Sequence, residues 1–237
     1  MVFISLAALP RDGVSDMDVF YEDNHIIVAL KPAGVLSQAD SSGAPDMLTL
    51  LKDYIKAKYN KPGNVYLGLV HRLDRPVSGV MVFARTSKAA SRLSEQVRTH
   101  KVDKEYLAVV TGTPVQPRGR LVSYIAKNSD TNTVTVYDRE VSGAKYAELE
   151  YEVCSSKEGL SLVSVRLKTG RPHQIRAQFA HIGHPLYGDS KYGKADKGAD
   201  LALFCRLMAV DHPVKGTRMT FTANPPCCYP WILFNGQ

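Results

Sequence analysis

The chain has 237 residues, of which 44% are hydrophobic and 22% charged, with 30 Lys+Arg against 23 Asp+Glu for a net charge of +7. These values exclude a disordered chain and fit one large globular domain or two small ones. No apolar run approaches the roughly 18 residues that cross a bilayer. Val2 to Leu9 is apolar, but no basic residue precedes it and no small-residue cleavage site follows, which argues against a signal peptide. The four cysteines, Cys154, Cys205, Cys227 and Cys228, lack the C-x-x-C spacing of a zinc knuckle and read as buried or reduced thiols of a cytoplasmic protein. The excess of basic charge favours a polyanionic partner.

Val19 to Leu30 reads as two short strands separated by a turn at Glu22-Asp23-Asn24, and Lys31-Pro32-Ala33-Gly34 ends the second. Residues 46 to 58 carry helical periodicity at Met47, Leu51, Tyr54, Ile55 and Lys58, with Asp46 as the cap. Apolar runs follow at Tyr66–Leu73 and Gly79–Ala84, joined by the loop Asp74-Arg75-Pro76-Val77-Ser78-Gly79. Thr86 or Ser87 caps a predicted helix with the stripe Ala90, Leu93 and Val97. Tyr106–Val110 is the next strand. Ala147, Leu149, Tyr151 and Val153 alternate with glutamates, and Val163, Val165 and Leu167 alternate with polar residues, so each set marks a strand with one wet face. Pro172 suits a helix first turn, Ile175, Phe179 and Ile182 form its inward stripe, and Gly183 ends it. Strands outnumber helices, which predicts an α+β fold: a largely antiparallel mixed sheet with flanking helices.

Three clusters could carry chemistry. In His71-Arg72-Leu73-Asp74-Arg75 a carboxylate stands between two guanidiniums, which favour its ionised, nucleophilic form; a surface ion pair is the plainer alternative. In Gly170-Arg171-Pro172-His173-Gln174-Ile175-Arg176, preceded by Arg166 and Lys168, arginines at a strand end and helix start suit phosphate or carboxylate; a solvated basic turn is the alternative. The third, Lys104-Glu105-Tyr106, places a tyrosine at a strand start, where packing alone accounts for most such residues. A metal site on His173, His181 and His184 is disfavoured because Gly183 and Pro185 break the helix between and after the last two. No Walker loop, dinucleotide fingerprint or serine hydrolase elbow is present.

In this order, Lys31-Pro32-Ala33-Gly34, His71 to Ala84, Lys104-Glu105-Tyr106-Leu107, Gly170 to Arg176, and His184-Pro185-Leu186 with Gly188-Asp189 and Tyr192-Gly193 resemble the RluA family of pseudouridine synthases. His212-Pro213 follows near the end, and the resemblance spans roughly residues 18 to 235. It implies the pseudouridine synthase fold and isomerisation of uridine in RNA, without cofactor or metal. Asp74 matches the catalytic aspartate, Tyr106 the active-site tyrosine, and Arg176 the basic residue paired with that aspartate. Arg72 matches an arginine that helps displace the target base, and Arg75, Arg171 and His173 are expected to contact RNA. Two departures stand out: Val77 replaces the usual Thr, and Leu203-Phe204-Cys205 replaces a Leu-His-Ala. The expected organisation is an extension over 1–17 and a catalytic domain over 18–237, without the S4 domain of many relatives. A cytoplasmic monomer acting on a stem-loop of rRNA or tRNA follows from that reading. The rival reading is a catalytically inactive RNA-binding module on the same fold.

Overall fold

The computed structural model describes residues 2–6, 18–194 and 198–234. In chain order the elements are β1 (Val2–Leu6), β2 (Val19–Glu22), β3 (Ile26–Lys31), α1 (Met47–Tyr59), β4 (Gly68–Leu69), β5 (Ser78–Ala84) and α2 (Ser87–Arg98). Then come β6 (Asp103–Thr111), β7 (Arg118–Asn128), β8 (Thr133–Tyr137), β9 (Lys145–Lys157), β10 (Leu160–Leu167), α3 (Gln174–His181), β11 (Leu203–Asp211) and β12 (Arg218–Ala223). A 3-10 turn over Trp231–Phe234 closes the series. No helix among the described residues is long and apolar enough to cross a membrane. Of the expected 1–17 extension, Val2–Leu6 is strand β1; the remainder lies outside the described residues.

The chain divides into two compact units, Met1–Lys104 with Cys205–Pro225, and Glu105–Phe204 with Pro226–Gln237. In the first, strands run in the order β2-β3-β5-β11-β12-β1, with β4 also on β5. All pair antiparallel where the register is defined, except β1, which runs parallel to β12. The central strands are buried on both faces: Ile26, Ile27, Val28, Ala29, Val80, Met81, Val82 and Phe83 are fully shielded. Removing that much apolar surface from water is the main term holding the unit together. Asp46 Oδ1 accepts from Thr49 N–H at 3.1 Å to start α1, and Thr86 Oγ1 accepts from Ala89 N–H at 3.1 Å to start α2. In α2 the buried alanine is Ala89 rather than the expected Ala90, because Ala89 and Leu93 stand one helical turn apart; Ala90 lies beside Gly68. The apolar run Tyr66–Leu73 forms only the two-residue β4, since its second half becomes the approach to the Asp74 loop.

The second unit is an antiparallel sheet in the order β6-β10-β9-β7-β8. The alternation expected in β9 and β10 holds: Ala147, Leu149, Tyr151, Val163 and Val165 face the core. Ala177 of α3 packs with Ile125, Val134 and Ala147. Phe179 meets the Tyr151 ring edge-on at 5.4 Å. Two sequence expectations for α3 need correcting. The helix begins at Gln174, past Pro172, because His173 takes a left-handed conformation at the N-cap (φ 51°). Ile182 is not inward but 38% exposed, since the helix ends at His181 and Gly183 turns the chain with φ 85°. No disulfide joins the four cysteines; Cys205 is buried and the other three are exposed.

Candidate active site

Asp74 sits half-buried on the loop between β4 and β5, and the backbone of that loop is held from one side by residues 31–37. Lys31 ends β3 and is wholly buried, and its ammonium donates to Pro32 O at 3.0 Å, Arg75 O at 3.0 Å and Val77 O at 2.7 Å. Ser37 Oγ donates to Leu73 O at 2.7 Å and accepts from Leu73 N–H at 3.1 Å. Gly34 N–H donates to Arg75 O at 2.9 Å, and Arg75 Nε returns a bond to Gly34 O at 3.0 Å. Val77 N–H donates to Asp74 O at 3.0 Å and closes the turn. Bonds therefore flank Asp74 on both sides along the chain, which fixes its backbone.

Burial pulls the Lys31 ammonium down to about 7, against the opposing attraction of Asp74 and with a small push from Arg75. His71 is also buried. It accepts at Nε2 from Val82 N–H at 3.1 Å, and burial, then the charge of Lys104, keep it neutral well below the usual histidine range. Gly79 follows the loop with φ 133°, and a Cβ there would fall 2.4 Å from Cys205 O, so only glycine fits. Arg72 and Arg75 are both exposed.

In the second unit, Tyr106 is buried on β6, opposite Val165 of β10. The basic motif at the start of α3 is organised by Gln174. Its Oε1 accepts from Thr169 Oγ1 at 2.8 Å and Arg171 N–H at 3.0 Å, while its Nε2 donates to Glu148 O at 3.0 Å. Arg171 Nε donates to Tyr146 O at 2.8 Å. His173 Nδ1 lies 2.7 Å from Tyr192 Oη, a partner that holds its left-handed backbone in place.

Arg176, 3% exposed, makes a two-pronged ion pair with Asp189, Nε to Oδ2 at 2.8 Å and Nη2 to Oδ1 at 2.7 Å. Burial pushes the Asp189 carboxyl up, but the hydrogen bonds and charge of Arg176, with the N–H groups of Lys191 and Tyr192, outweigh it and hold the group below the ordinary range.

Sequence reasoning underrated several of these residues. Lys31 was legible as a strand end and as a member of the Lys31-Pro32-Ala33-Gly34 motif, but without partners. Asp189 and Gln174 were legible as motif members without partners, and Ser37 carried no local signal. Arg166 and Lys168, which add to the basic run in sequence, are drawn off to Glu105 at 3.3 Å and Glu150 at 2.9 Å. The three histidines go to separate partners: His173 to Tyr192, His181 to Asp138 and His184 to Thr111 O.

A family model described as RNA pseudouridylate synthase matches residues 25–181. The chain is 33% identical over 237 residues to tRNA pseudouridine synthase C of Haemophilus ducreyi, covering 88% of this chain and 90% of that protein. It is 33% identical over 228 residues to ribosomal large subunit pseudouridine synthase D of Yersinia pestis, covering 89% and 67%. The solved structure titled Human RNA Pseudouridylate Synthase Domain Containing 4 shares the fold, with a TM-score of 0.73 at 23% identity, covering 88% of each chain. The chain belongs to the RNA pseudouridylate synthase family, in its RluA branch, and is an enzyme that isomerises uridine in RNA to pseudouridine.

Proposed function

We propose that Asp74 is the catalytic nucleophile, that Tyr106 and Arg176 act with it, and that the substrate is a stem-loop of tRNA or ribosomal RNA. The observation that carries the assignment is the Asp74 loop itself: a half-buried carboxylate on a backbone held by Lys31, Gly34 and Ser37. The reaction breaks the bond between N1 of uracil and C1′ of the sugar, rotates the base, joins C5 to C1′, releases the C5 hydrogen as a proton and leaves N1 carrying a proton in its place. Asp74 opens it as an anion, whether on the sugar or on the base. Arg176 favours that anion, because a carboxylate taken from water without a cation takes up a proton. The Tyr106 ring holds the flat uracil, and its hydroxyl serves the late proton transfer at C5.

The target base leaves its stack before any of this. Arg72, exposed on the same loop as Asp74, is suited to fill the gap, and Arg75, Arg171 and His173 to grip the flanking backbone. The tRNA and ribosomal relatives support both substrate classes. Four cysteines without a disulfide fit a reducing cytoplasm, and a monomer suffices for the roles assigned.

The test is tritium release from C5-labelled uridine in total RNA lacking the modification, with wild type and Asp74→Asn compared. Release by wild type alone supports the assignment. RNA binding by folded protein without release from any RNA pool favours an inactive RNA-binding module.

A further inference from the structure

Helix α3 is buried along Gln174–Phe179, so each polar side chain on it needs an internal partner. Arg176 has an unusually complete one. Asp189 takes the Nε and one Nη2 hydrogen with both carboxylate oxygens, and its Oδ1 also accepts from Lys191 N–H at 2.9 Å and Tyr192 N–H at 3.1 Å. The carboxylate thus cannot turn without breaking bonds to its own backbone. Those same bonds bend the chain so that the Tyr192 ring lies over the guanidinium, 5.3 Å from centroid to Cζ. Tyr192 is anchored in turn: its Oη accepts from Val134 N–H at 2.8 Å and meets His173 Nδ1 at 2.7 Å.

Glycines make the bend possible. A Cβ on Gly188 would fall 2.0 Å from Asp200 O, and one on Gly193 would fall 3.0 Å from Asp189 O. A buried ion pair gives little net stability over apolar residues of equal size, so stability alone does not account for holding one guanidinium by a two-pronged ion pair and a cation–π contact together.

We infer that Asp189, with the Tyr192 ring in cation–π contact with the same guanidinium, is a positioning residue for Arg176 in pseudouridine formation. Asp189 locks one edge of the guanidinium through two hydrogen bonds and the Tyr192 ring adds a cation–π contact, so the group meets the reacting atoms in a single orientation. The inference rests on the active-site role proposed for Arg176.

The experiment measures single-turnover tritium release and filter-binding affinity with C5-labelled total RNA lacking the modification. The proteins are wild type, Asp189→Asn, Asp189→Glu, Arg176→Ala and the double variant Arg176→Ala/Asp189→Asn. Misplacing a catalytic group by about 1 Å costs on the order of 100-fold in rate, which is the loss expected for Asp189→Asn, with RNA affinity unchanged. Asp189→Glu should recover part of the rate, and the double variant should be no slower than Arg176→Ala.

A wild-type rate for Asp189→Asn beside a slow Arg176→Ala overturns the inference and leaves the role of Arg176 standing. A wild-type rate for Arg176→Ala removes that role itself. Should Asp189→Asn fail to fold, Tyr192→Leu keeps the ion pair and removes the ring together with its Oη bonds to Val134 and His173, so RNA affinity is read beside the rate. Slowed turnover with unchanged RNA affinity then supports positioning, and a wild-type rate overturns it.

Discussion

Lys31 Nζ lies 2.7 Å from the carbonyl oxygen of Val77, and it donates to Arg75 O and Pro32 O as well. One buried ammonium thereby ties the end of β3 to two backbone acceptors on the loop that carries Asp74, Arg75 O and Val77 O, the first of which also accepts from Gly34 N–H.

The Lys31 ammonium titrates near 7 in the folded protein and near its ordinary 10.5 in the unfolded chain. Below pH 7 both states hold the proton and the folded state bears the whole cost of burying the charge. Between about 7 and 10.5 the unfolded chain binds more protons, so this residue makes stability rise with pH. Lys31→Met removes that dependence. Urea unfolding of both proteins from pH 6 to 10 should show wild type gaining stability relative to the variant across this window, and parallel curves would refute the titration of Lys31.

Tyr106→Phe keeps the ring and loses the hydroxyl. The variant is expected to bind RNA as wild type does yet release tritium much more slowly, by about 100-fold or more, the usual worth of a general acid or base. Single-turnover kinetics indistinguishable from wild type would show that the hydroxyl moves no proton.

Gly79→Ala places a methyl group 2.4 Å from Cys205 O on a backbone with φ 133°. Strain of this kind costs about 2–4 kcal/mol. Thermal melts should show a lowered Tm, accompanied by weaker turnover because the end of the Asp74 loop shifts. An unchanged Tm would mean that β11 yields at Cys205 without cost.

Strands β2, β3, β5, β6, β9 and β10 and the three helices were legible from local patterning, because burial of one face imposes a period on the sequence, whereas β1, β7, β8, β11 and β12 were not read as strands. Asp46 and Thr86 could be read as caps from their type and place, and the alternation of Ala147, Leu149 and Tyr151 marked the inward face of β9, with Val153 only half-buried. The phase of α2 at Ala89 and the exposure of Ile182 were not legible, since the period locates a stripe but not where its neighbours end. For the site, motif order identified Asp74, Tyr106 and Arg176 as candidates and the family as RluA. What the sequence could not carry is partnership over distance. Lys31 with Val77 is 46 residues apart, Ser37 with Leu73 is 36 and Arg176 with Asp189 is 13. Each bond exists because folding removes water from both groups, and that decision belongs to the tertiary structure alone.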